Sequence, residues 1–373
     1  MNLVQLELVM NTLVKATAIF FLFAFEASAS PDSKFNIMAN LDTGPGNITV
    51  TDKGRIIMSM HQFYQPKYTM VEYKDNVLVP FPNKELSGSD SVSNLKLDSV
   101  LGIRSDTHGI VWMLDNGRRS DVTPKLVGWD TLSNKLHQVI YLPKPVTPKD
   151  AFVNDFVVDN KHKHIFISDP AGGFNAGLIV VNLVTGTARR VLEGHSSVIP
   201  EDVDLVIDNV PIQLKDKSGK LVRPHIGVNP ITEDLNNEWV YFGPMHGHSL
   251  YRIKADDLVN EKLNANNLAS HVERYSDKPI SDGMTIDKDN NIYLGELASN
   301  AIGVISAAKK YQRLAQCPRL SWVDSFSFGP NGQLFAVVNR LHQSGTLNGG
   351  VSASKPPYYL LQIKALAAGL PGR

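Results

Sequence analysis

The chain has 373 residues, 43% of them hydrophobic, and its 37 Lys plus Arg balance 37 Asp plus Glu to a formal net charge of zero. That neutrality speaks against a nucleic-acid binder, which needs a basic face, and the absence of low-complexity tracts marks an ordinary globular chain. The single cysteine, Cys317, excludes an internal disulfide and any Cys-based zinc spacing, and reads as a small apolar core residue.

In chain order, the first element is a targeting segment. Lys15 precedes an apolar run over 16–25, and Ala27-Ser28-Ala29 supplies the small residues before a cleavage point. The run is too short to span a membrane. Residues 1–29 are therefore expected to be a signal peptide, with Met10 as an alternative start. Residues 30–373 are expected to form one domain, secreted to the periplasm or the medium, with no membrane span once the leader is removed.

From there on one phrase recurs: a small polar residue, a short alternating run, a turn and a second β-rich run. It begins near Asn47, Asp98, Asn154, Asn229, Asp282 and Asp324. Turn sequences such as Asp52-Lys53-Gly54, Asp289-Asn290-Asn291 and Pro330-Asn331-Gly332 separate the apolar runs. Each copy reads as a hairpin, and hairpins repeated at about 40 to 50 residues predict propeller blades. The expected fold is all-β, a six-bladed β-propeller. The long gap between Asn154 and Asn229 must hold an insertion, with 215–220 as an exposed hairpin tip. Helical patterning is confined to 255–268 and 365–368.

Inner strands of a propeller face a central channel, so equivalent openings converge on its axis. Asn47, Asn154, Asn229 and Asp282 would present three amide oxygens and one carboxylate. That set suits a hard divalent cation, calcium foremost, at low ligand charge. The competing reading is local: Asn and Asp before a strand also form turns by bonding their own backbone. His61, just after an inner-strand candidate, and Arg118 could reach a small molecule at the channel mouth. His246, two residues from His248, is a third candidate ligand contact. Neither a Gly-x-Ser-x-Gly elbow nor an HExxH pair is present.

Phe152-Val153-Asn154-Asp155-Phe156, Ser168-Asp169-Pro170, Gly227-Val228-Asn229-Pro230, Phe242-Gly243-Pro244-Met245, Ser281-Asp282-Gly283-Met284 and Trp322-Val323-Asp324-Ser325 together resemble the major royal jelly/Yellow protein family, in its bacterial branch. The resemblance spans about 35–363. It implies a six-bladed propeller related to gluconolactonase, regucalcin and paraoxonase-like propellers. In the lactonase relatives a central divalent metal is held by one Glu, two Asn and one Asp. Matched by motif, the Asn positions fall on Asn154 and Asn229 and the Asp on Asp282, while the Glu position falls near Asn47, one charge short. Two functions are implied. One is a metal-dependent lactonase-like hydrolase, with Asp282 or Asp155 activating water. The other is a non-catalytic extracellular binder of small ligands. A Yellow-like role in catechol or pigment chemistry rests on the resemblance alone.

Overall fold

The computed structural model describes residues 34–373, so the targeting segment read at 1–29, Met10 included, lies outside the described residues. The chain is a six-bladed β-propeller of four-stranded antiparallel blades. Blade 1 is Pro45–Val50, Ile56–Met60, Met70–Lys74 and Val77–Pro80. The innermost strands of blades 2 to 6 are Val100–Ser105, Phe156–Asp159, Val228–Glu233, Met284–Ile286 and Val323–Phe328. Every residue of these six inner strands is buried, while the outermost strands are largely exposed. Polar residues in these strands, such as Asn47, Asn229 and Asp324, are therefore buried as well.

The ring closes through an exchange of strands. Phe35–Leu41 pairs with Tyr358–Ile363 and becomes the outermost strand of blade 6. Both ends of the described chain are thereby tied into one blade, and the inner strand of blade 6 packs on that of blade 1. At the far end of the channel, residues 364–373 cross the ring. Gly372 N–H donates to Phe328 O at 2.9 Å, and the Arg373 guanidinium donates to the carbonyls of Glu233 at 3.1 Å and Asp234 at 2.6 Å.

The turn chemistry is realised where the sequence places it. Asn290 (φ 60°), Asn331 (φ 63°) and Gly54 (φ 76°) all adopt left-handed backbone. Residues 255–268 hold two short helices, Ala255–Val259 and Ala265–Ser270. The stretch 365–368 is not helical, because it is spent in backbone contacts such as Lys288 N–H to Ala368 O. The insertion after blade 3 forms two hairpins, Val206–Ile207 with Val210–Pro211 and Leu214–Lys215 with Leu221–Val222. No helix among the described residues is long and apolar enough to cross a membrane.

Candidate functional site

The site is built by irregularities in the inner strands. Pairing shifts between Pro45 and Ile48, between Val228 and Ile231, and between Val323 and Ser325. A β-bulge re-aims the side chain it carries, and these three carry Asn47, Asn229 and Asp324. Asn154 and Asp282 stand just before their strands. Glycines let neighbouring blades close in: Gly102 N–H donates to Asn154 O at 2.9 Å, and a Cβ on Gly283 would collide with Asp324 O.

These residues meet at one end of the channel. Asn154 Nδ2 donates to Asn229 Oδ1 at 2.5 Å, and Asn229 Nδ2 donates to Asp282 Oδ1 at 2.5 Å. Trp322 Nε1 donates to the other Asp282 oxygen at 2.7 Å. Across the channel, Asn47 Nδ2 donates to Asp155 Oδ1 at 2.6 Å. The Asn47 oxygen accepts from Arg104 at 2.8 Å and from Ser325 at 2.6 Å. Asn47 thus spends its N–H on Asp155 and its oxygen on Arg104 and Ser325. Asp324 is held by Asn339 Nδ2, which also donates to Pro45 O at 2.9 Å.

Three carboxylates are thus buried together. Burial pushes Asp155 up to about 6, against the pull of Arg104 and the Asn47 hydrogen bond. Burial and the Asp155 charge push Asp282 up to about 7, and burial with repulsion from both raises Asp324 well above the carboxylate range. The count of one carboxylate at the central site is corrected to two, because Asp324 joins Asp282 in the lining, with Asp155 buried behind Asn47. Asp324 opens the sixth copy of the repeat, and that position was the available signal.

A cavity of about 750 Å³ opens above them. Asn47, Asn154, Asn229, Asp282 and Asp324 line it, together with His61 and Arg118. Asp155 is not among the lining residues and stands behind Asn47. His246 does not line it either. Its ring is fully buried, with Nδ1 accepting from Ile226 N–H at 3.1 Å. Asp98 is a turn residue, accepting from Arg119 N–H and Ser120 N–H, and blade 2 presents Leu101 to the cavity instead. Arg118 is exposed at the edge, donating to Lys149 O at 3.3 Å.

The oxygen-rich set of Asn154, Asn229, Asp282 and Asp324 fits a hard cation. Rotating the Asn229 amide exchanges its oxygen and nitrogen in place. No group of three or more His, Cys, Asp or Glu side chains with metal-site geometry is present among the described residues. A cation here would depend on the Asn amides.

The family model for major royal jelly protein matches residues 98–357. The chain belongs to the major royal jelly protein family. Major royal jelly protein 3 of Apis mellifera is 21% identical over 248 residues, which are 64% of this chain and 43% of that protein. The chain thus matches less than half the length of this royal jelly relative. Among solved structures, a gluconolactonase from Xanthomonas campestris superposes with a TM-score of 0.54 at 9% identity, over 90% of this chain and 92% of that one. A luciferin-regenerating enzyme gives 0.56 at 12% identity, over 91% and 97%. At such identities the likeness is one of fold, and it places this royal jelly family member among six-bladed propellers.

Proposed function

We propose that this chain is a metal-dependent lactone hydrolase of the gluconolactonase type, working outside the cytoplasm. The observation that carries the reading is the convergence of Asp282 and Asp324 with Asn154 and Asn229 at the floor of one open cavity. Like charges brought together out of water ask for a cation. Calcium, held by Asn154, Asn229 and Asp282, would supply Lewis acidity at a lactone carbonyl. Asp324 lines the cavity beside that set; with a bound cation offsetting the burial and repulsion that raise its pKa, it would take the proton of an attacking water. The water oxygen bonds to the carbonyl carbon, the ring C–O bond breaks, and the ring oxygen leaves with a proton, giving a hydroxy acid.

The test is calorimetry with calcium, magnesium and zinc, followed by a lactone panel with and without chelator. Saturable heat that Asp282→Ala removes, with chelator-sensitive turnover, supports the hydrolase. An absence of saturable heat from all three ions sinks it.

One observation favours a second reading, a non-catalytic binder of small polar ligands. The Asn47 oxygen is occupied by Arg104 and Ser325 and its N–H by Asp155, so the position matched to the lactonase Glu offers no carboxylate to a metal. Metal binding without turnover on any lactone would select this reading.

A further inference from the structure

The insertion after blade 3 and the loop after residue 340 come from different blades yet meet at the cavity. Gln213 N–H donates to Leu347 O at 2.9 Å, and Gly349 N–H donates to Gln213 O at 2.8 Å. Leu205, Ile207, Ile212, Leu341 and Leu347 pack into one cluster with Trp322. The same two segments present Leu214, Val222 and Leu347 to the cavity. The buried polar groups named above form its floor, while Arg118, Lys215 and Lys217 are exposed at its edge. Between floor and edge the wall is mostly apolar: Phe63 and Ile226 pack beside the inserted segments and Phe152 adds to it, with Asp150, Asp216 and His225 as its polar members. A polyhydroxylated ring would leave hydroxyls without partners along the apolar stretch of Phe63, Ile226, Leu214, Val222 and Leu347.

His61 adds a fixed donor. Phe63 N–H donates to its Nδ1 at 3.2 Å, so the neutral ring carries its proton on Nε2. The ring packs edge-on against Phe63 at 4.5 Å, and burial lowers its pKa to about 3. His61 is therefore neutral across the physiological range, and its ring lines the cavity.

We propose that the cavity receives a lactone bearing an aliphatic or aromatic substituent, its carbonyl oxygen accepting from His61 Nε2–H and its substituent lying under Leu214, Val222 and Leu347. The head group rests on the lactone reading above; the apolar body rests on the wall alone. The test measures calorimetric binding of γ-butyrolactone, γ-decalactone and glucono-δ-lactone to the full chain, with and without calcium. Each CH₂ buried adds up to about fourfold in affinity, so γ-decalactone is expected to bind at least about tenfold tighter than either of the others. Val222→Ser, at a partly exposed position of the wall, should shrink that advantage severalfold. His61→Phe should weaken all three lactones, and His61→Gln, which keeps a donor, should restore most of the loss. Thermal melts of each variant separate these effects from misfolding. Equal or tighter binding of glucono-δ-lactone, or no lactone binding at all, overturns the proposal. Chain-length preference without turnover removes the hydrolase and keeps this ligand class; turnover without chain-length preference does the reverse.

Discussion

The indole N–H of Trp322 donates to Asp282 Oδ2 at 2.7 Å, from a residue held at φ 63°. A bulky side chain in the left-handed region is strained. Here the surroundings hold it: the ring is 1% exposed and packs among the apolar residues of both inserted segments. Trp322 thus links the wall of the cavity to the carboxylate at its floor.

Trp322→Phe keeps most of the ring and removes the donor. A hydrogen bond to a charged group contributes about 1.5–3 kcal/mol. If Asp282 holds calcium, the variant should bind it roughly tenfold more weakly, by calorimetry, while far-UV circular dichroism stays native. Unchanged calcium affinity would show that this hydrogen bond does not orient Asp282.

The acidic floor predicts an unusual pH profile of stability. Asp155 and Asp282 carry folded pKa values of about 6 and about 7, and Asp324 is raised as well. Unfolded aspartates titrate near about 3.9. The folded state therefore binds more protons in between. The stability these groups contribute is full below the unfolded value and is lost as pH rises through about 6 to 7. Melting temperature without metal should fall by a few degrees from pH 5 to pH 8. Asp324→Asn, which removes one of the repelling charges, should flatten the fall, and calcium should oppose it. A melting curve indifferent to both would contradict the arrangement.

Asn47→Asp exchanges the donor facing Asp155 for a carboxylate. It breaks the 2.6 Å hydrogen bond and sets two like charges against each other. A loss of about 2–4 kcal/mol is expected, measured by urea unfolding at pH 8 and smaller at pH 5. A neutral outcome at pH 8 would mean that the Asn47 amide is not needed as a donor.

Gly283→Ala tests the closeness of blades 5 and 6. The added Cβ meets the Asp324 backbone oxygen, which no side-chain rotation relieves. Destabilisation above about 2 kcal/mol is expected from the same measurement. A smaller effect would indicate that the blades separate easily.

Much of the ring was legible in the residues. Alternating apolar runs between Asp-Lys-Gly and Pro-Asn-Gly turns marked hairpins, since strand alternation and left-handed turn residues are local properties. The openings Asn154, Asn229 and Asp282 were readable as equivalent positions of one repeat for the same reason. The strand Phe35–Leu41 could not be placed, because its partner Tyr358–Ile363 lies at the other end of the chain. His246 is no ligand contact: its spacing from His248 says nothing of the Ile226 N–H that its buried ring accepts.

By itself the sequence determined the strands, the turns, the repeat and the identity of the polar residues that open each copy, all set by side chains acting within a few residues of one another. Only the tertiary structure decided which of those openings share the channel. Bulges turn Asn47 and Asp324 inward, Asp155 of blade 3 reaches Asn47 of blade 1, and Trp322 reaches Asp282 from the next blade. Contacts between blades depend on how whole sheets pack, and no local pattern of residues encodes that distance.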